Sequence, residues 1–94
     1  MLGIQVTYMM KPGMREEFLS QVAACGIQSA VRREKGCLQY DYFRSVDDPD
    51  LLLLLERWTD AESQRLHMEQ PHMKELATIK DHCVAQVSLE RFSL

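Results

Sequence analysis

Residues 36–72 read GCLQYDYFRSVDDPDLLLLLERWTDAESQRLHMEQPH, and the five consecutive leucines at 51–55 decide how the chain folds. Two strand-like runs, Cys37–Ser45 and Leu51–Thr59, flank the polar turn Val46-Asp47-Asp48-Pro49-Asp50, the layout of a hairpin. A strand with one wet face alternates apolar and polar residues. Leu51–Leu55 does not alternate, so both of its faces are expected to be covered. Helices can cover one face of a small antiparallel sheet. In 94 residues little is left for the other face, which makes a second copy of the chain its simplest cover.

Working outward, Leu2–Met9 reads as a strand, with Leu2, Ile4, Val6 and Tyr8 alternating with Gly3, Gln5, Thr7 and Met9. Lys11-Pro12-Gly13 ends it, and from Met14 to about Glu34 the apolar period becomes helical. Phe18, Val22 and Cys25 form a stripe that Leu19, Ala23, Ile27, Ala30 and Val31 widen. Gly26 falls inside this predicted helix at a cost of up to ~1 kcal/mol relative to Ala, for which close packing on the sheet is the expected reason. Gly36 supplies the left-handed stop. After the hairpin, Asp60 is a good N-cap for a short helix to Glu69. Pro71 interrupts it, a further helix is predicted to about Lys80, and Val84–Phe92 alternates as a last strand. The order β-α-β-β-α-β predicts an α+β, ferredoxin-like split βαβ domain spanning residues 1–94. Its antiparallel four-stranded sheet carries helices on one face and leaves the other open. Two such sheets packed face to face would bury the leucine strand.

Composition limits the function classes. A net charge of −3, with eleven Lys/Arg scattered among fourteen Asp/Glu, argues against a nucleic-acid footprint or a membrane-surface patch. No stretch approaches the ~20 apolar residues of a membrane span, and MLGIQVTYMMKPG lacks the pattern of a signal peptide. Three cysteines (Cys25, Cys37, Cys83) without metal-ligand spacing are expected to be reduced, cytoplasmic thiols. Cys37 and Cys83 adjoin strands that lie at opposite edges in this topology, so no disulfide is expected between them.

Several pieces together resemble the antibiotic biosynthesis monooxygenase domains of the dimeric α/β-barrel superfamily. They are the Lys11-Pro12-Gly13 turn, Glu17-Phe18-Leu19, the phrase Glu34, Gly36-Cys37-Leu38, Tyr40-Asp41, then Glu56-Arg57-Trp58-Thr59-Asp60, His67 and Pro71-His72. The likeness implies a homodimer whose two sheets form a barrel. Relatives include small oxygenases that oxidise polycyclic phenols or quinols with O₂ and neither metal nor flavin, as well as haem-degrading enzymes and an isomerase of a phosphorylated sugar. This chain has no asparagine, so the Asn-Trp-His set of the haem-degrading relatives is incomplete. Its first helix has no histidine, with Gln28 where the isomerase relatives would carry one.

The candidate catalytic residues are Glu56, His72 and Tyr40; Trp58, His67, Arg44 and Tyr42 are candidates for substrate binding, and no metal or cofactor is expected. Glu56 follows the leucines, so a buried carboxylate is expected there, acting as a base or paired with Arg44 across the hairpin. His67 and His72 stand five apart, which does not place them on one face of a straight helix. In the functional reading His72, joined or not by His67, faces the cavity and shuttles a proton; otherwise one histidine is capping or exposed and the other a satisfied polar residue. Tyr40 is the preferred donor to a substrate oxygen. Trp58 is either a core anchor or the wall of a substrate cavity. Tyr42 and Arg44 share the strand face of Tyr40, and sheet surface is their plainer reading. The expected function is cofactor-independent monooxygenation of a small apolar or aromatic phenol, quinol or polyketide-like molecule. An isomerase or lyase of a small oxygenated metabolite, with Arg44, Arg57 and Arg65 for any phosphate, is the alternative, as is a non-catalytic binding module.

Overall fold

The computed structural model describes residues 1–94. Four strands, β1 (Leu2–Met10), β2 (Cys37–Arg44), β3 (Leu51–Trp58) and β4 (Val84–Ser93), form one antiparallel sheet in the order β2-β3-β1-β4. Helices α1 (Arg15–Ala24), α2 (Ile27–Arg32), α3 (Ala61–His67) and α4 (Pro71–Cys83) lie on one face. This is the predicted ferredoxin-like α+β architecture. Cys37 and Cys83 adjoin opposite edge strands, and all three cysteines are free. No helix is long and apolar enough to cross a membrane.

Strand periodicity places the core. Ile4, Val6 and Tyr8 of β1 and Leu52, Leu54, Glu56 and Trp58 of β3 are buried beneath the helices. Phe18 and Val22 of α1, Ile27 and Val31 of α2, and Leu76 and Ile79 of α4 pack against them. Each fully buried leucine contributes ~1.5–3 kcal/mol. The intervening residues Leu51, Leu53 and Leu55 point to the opposite face, with Met9, Phe43 and Phe92 around them. No element of the chain packs on that face.

Two expectations about the first helical segment are overturned. It is two helices, broken at Cys25-Gly26, where Gly26 takes φ 65°. A Cβ there would meet nothing within 4 Å, so the glycine serves a left-handed bend and not close packing on the sheet. The bend also turns Cys25 out of the expected apolar stripe to an exposed position.

Gly36 does not stop the helix as expected, because α2 already ends at Arg32. At φ 86° it instead serves the turn into β2 and a close approach, where a Cβ would clash with Ser63 Oγ. Its carbonyl accepts from Thr59 N–H at 2.9 Å. Asp60 caps α3 as expected, its Oδ1 accepting from Ser63 N–H at 2.8 Å. The end of the α2 segment and the start of α3 are thereby drawn together, which brings Glu34 to the far end of α3. The hairpin turn is held by Arg15, which donates to the carbonyls of Ser45 (3.2 Å) and Asp48 (3.0 Å). His82 is exposed, in the last turn of α4.

Candidate active site

His67 is the centre of the site. It is the last residue of α3 and is 1 % exposed. Met68–Gln70 break the helix, and Pro71 restarts it in a new direction as α4. That break decides what the sequence spacing left open, since it brings both histidines to one carboxylate. His67 Nδ1 lies 2.9 Å and His72 Nε2 2.7 Å from the same Oε2 of Glu34. An ionised carboxylate only accepts hydrogen bonds, so each imidazole donates to it. Donation from Nδ1 leaves the lone pair of His67 on Nε2. That atom is 4.0 Å from Glu56 Oε1, too far for a direct hydrogen bond.

Glu56 is 7 % exposed, as the leucine run foretold. Its partner is not Arg44, because Tyr40 and not Arg44 lies opposite it in the β2–β3 register. Trp58 Nε1–H donates to Glu56 Oε1 at 3.0 Å. Burial holds the Glu56 carboxyl above its ordinary range, a shift that the Trp58 hydrogen bond and the nearby His67 and Lys80 only partly offset. Arg44, two residues beyond the site, pairs with Glu16 of α1 through Nη2 at 2.8 Å and Nε at 2.9 Å.

A cavity of about 350 Å³ opens against this group, between the α3–α4 break and the β1–β4 half of the sheet. Tyr40, Glu56 and His67 line it, as do Ile4, Val6 and Leu76 among its apolar walls. Trp58 is not on the cavity surface. Its fully buried ring lies behind His67, with centroids 4.8 Å apart, and so supports the imidazole from beneath. Tyr40 stacks edge-on to the other side of His67 at 5.7 Å. Burial raises the Tyr40 phenol well above its ordinary value, so it remains a hydrogen-bond donor at neutral pH. Tyr42 lies behind Tyr40, away from the cavity, and burial pushes its phenol up to about 12. Its hydroxyl is buried with no hydrogen-bond partner.

Of the seven residues singled out from the sequence, the structure gathers Glu56, His67, Tyr40 and Trp58 and leaves Arg44 and Tyr42 outside. His72, expected to face the cavity, is turned onto Glu34 and does not line it, so His67 is the histidine at the cavity. Sequence reading also missed three participants. Glu34 stood in the quoted family phrase, but nothing at the end of that helical pattern marks it as the partner of histidines 33 and 38 residues on. Lys80 and Arg91 line the cavity from α4 and β4. Neither carried a signal, because only the packing of the last helix over the last strand brings them together.

One ligand atom each from Glu34, His67 and His72 lie within 4.8 Å of one another, the donor set of a two-histidine, one-carboxylate centre. Both nitrogens already engage one carboxylate oxygen. The same three side chains therefore also make a hydrogen-bonded triad.

The model of the family described as "Antibiotic biosynthesis monooxygenase" matches residues 1–78. The Bacillus subtilis protein named "Putative monooxygenase YcnE" is 35% identical over 74 residues, covering 79% of this chain and 76% of the relative. Among solved structures, "Putative antibiotic biosynthesis monooxygenase from Nitrosomonas europaea" superposes with a TM-score of 0.90 at 20% identity, covering 100% of this chain and 98% of that one. PA3566 from Pseudomonas aeruginosa gives 0.87 at 24% identity, covering 99% and 92%. The structural likenesses show the fold. The family match and the Bacillus relative show that this chain belongs to the antibiotic biosynthesis monooxygenase family.

Proposed function

We propose that the chain is a cofactor-independent monooxygenase acting on a small phenol, quinol or anthrone-like molecule bound in the cavity of His67. The observation that carries this reading is the Glu34–His67–Glu56 line. Glu34 orients the imidazole through Nδ1, and Nε2 is left without a hydrogen-bond partner, 4.0 Å from Glu56 at the cavity that His67 lines. Such a base serves a substrate that needs only deprotonation to become an electron donor.

In the simplest case His67 Nε2 takes a proton from the substrate carbon or hydroxyl. The resulting carbanion or phenolate passes an electron to O₂, and the two radicals combine at carbon as a hydroperoxide. Loss of water from that intermediate removes the second hydrogen of the carbon and leaves a carbonyl. The sum is R₂CH₂ + O₂ → R₂C=O + H₂O, with the substrate as the sole reductant. Tyr40 is placed to donate to a substrate oxygen. His72 acts through Glu34 as a positioning residue. Glu56, already bonded to Trp58, is the second proton acceptor and not the first.

The sheet face carrying Leu51, Leu53 and Leu55 is proposed as the contact with a second copy, and three free thiols agree with a cytoplasmic setting. Oxygen uptake by purified, metal-free protein against hydroquinones, dihydroxynaphthalenes and anthrones tests the chemistry. Uptake is expected on at least one class, with a loss of 10²-fold or more, roughly, in His67→Gln. No uptake above the spontaneous rate on any of them overturns the oxygenase reading. It would favour an isomerase or lyase of an acidic metabolite, the alternative that the cavity's cations support.

A further inference from the structure

Charge within the cavity is distributed unlike charge on the rest of the chain. The chain as a whole carries −3, yet three cationic side chains line the cavity and Glu56 is its one carboxylate. Arg65 is already neutralised by Glu62 at 2.6 Å and Glu69 at 3.0 Å. Lys80 and Arg91 have no ion pair and donate no hydrogen bond. Lys80 is half-buried, its Nζ standing 5.7 Å from the centre of the Tyr8 ring. Burial without a partner is costly for an ammonium, and it lowers the pKa of Lys80. A cation–π contact offsets only part of that cost. Across the sheet, Tyr40, Glu56, Ile4 and Arg91 form one row, so Arg91 sits in register with the reactive group and not at a remote rim.

We infer that the cavity takes a flat apolar ligand bearing one acidic oxygen, a carboxylate, enolate or phenolate, whose charge is received by Lys80 with Arg91 as a second donor. The inference rests on the cavity of His67 being the substrate site and deepens the proposed function by naming the charge of the substrate. Val87 and Leu89 of β4 supply the apolar floor, both more than half exposed and both on the cavity side. An acidic group at Lys80 would orient the ring so that its reacting edge meets His67. In the oxygenase reading, the same ammonium stabilises the oxyanion that forms when the substrate loses its proton.

Two probes of one shape decide the matter: 2-naphthoate, which is anionic, and 2-naphthylmethanol, which is neutral. Binding to the intact protein is followed by the fluorescence of Trp58, the only tryptophan, which lies directly behind His67. Wild type is expected to prefer the anion by about tenfold, as for a hydrogen bond to a charged group. The preference is expected to vanish in Lys80→Met, to persist in Lys80→Arg and to shrink in Arg91→Gln. Affinity for the neutral probe is expected to change by less than about twofold in all three, which also shows that the variants are folded. Equal affinity of wild type for the two probes would overturn the inference, as would a preference that survives Lys80→Met combined with Arg91→Gln. Absence of naphthoate binding at millimolar concentration would overturn it equally. None of these readouts requires oxygen or turnover, so they stand or fall separately from the oxygen-uptake experiment.

Discussion

The two faces of β3 are built from alternate residues of one eight-residue strand and differ in kind. Leu52, Leu54, Glu56 and Trp58 face the helices and are sealed by the chain's own packing. Leu51, Leu53, Leu55 and Arg57 face the other way, and no element of the chain covers them. On the covered face, apolar content gives way to polar chemistry as the strand proceeds: two leucines, then a carboxylate held by an indole. On the open face, three leucines run to Arg57, flanked by Met9 and Phe43 but also by Gln5, Thr7 and Asp41. A face that holds a reactive group needs neighbours fixed within a fraction of an ångström, and the chain supplies them itself. A face proposed to join two copies needs only area and complementarity.

The comparison can be broken most strongly from the covered side. Leu54→Ala removes a fully buried side chain and is expected to destabilise folding by about 3 kcal/mol, read as a shift in the urea midpoint. A loss below about 1 kcal/mol would mean that the helix-covered face is far less well packed than its burial indicates. The open face is expected to respond differently. Leu53→Arg should leave the secondary structure intact while weakening self-association by roughly 10²-fold or more, read by sedimentation velocity at micromolar concentration. Wild type sedimenting as a monomer under the same conditions would remove the argument that the leucine strand demands a second copy.

A smaller and sharper effect comes from Glu56. Burial holds its carboxyl above the ordinary value of 4.5 in the folded chain. Below about 4.5 the group is protonated in both the folded and unfolded states and costs nothing. Above it, the unfolded chain ionises first, so the stability tied to protonated Glu56 is lost as pH rises through the folded value. The unfolding free energy of wild type minus that of Glu56→Gln should therefore fall as pH rises above the ordinary carboxylate value. Glutamine can still accept from Trp58, so the indole contact is not the variable. A difference that rises with pH would mean that Trp58, His67 and Lys80 outweigh burial.

Much of this was legible in residues alone. Period-two alternation located β1 and β4, and Asp60 marked the start of α3. Gly36 takes the expected left-handed φ but lies beyond the end of α2 at Arg32. The buried carboxylate at 56 followed from its position after the leucines. Misreadings arose where local pattern competes with long-range packing. The helical period runs unbroken through Gly26, yet the chain bends there because two short helices cover the twisted sheet better than one straight helix. Arg44 was matched to Glu56 because both belong to one hairpin, but the register sets it beside Leu52, and α1 offers it Glu16.

The sequence by itself determined the topology, the apolar surplus on β3 and the residue types available for proton transfer, since these depend on periodicity and composition along a local stretch. Tertiary structure alone decided which groups meet. The break at Met68–Gln70 turns two histidines with incompatible helical phases onto one carboxylate 33 and 38 residues earlier. The crossing of α4 over β4 sets Lys80 and Arg91 around one cavity. Such meetings are set by helix direction and strand register, which sum contributions from the whole chain, and no local pattern encodes them.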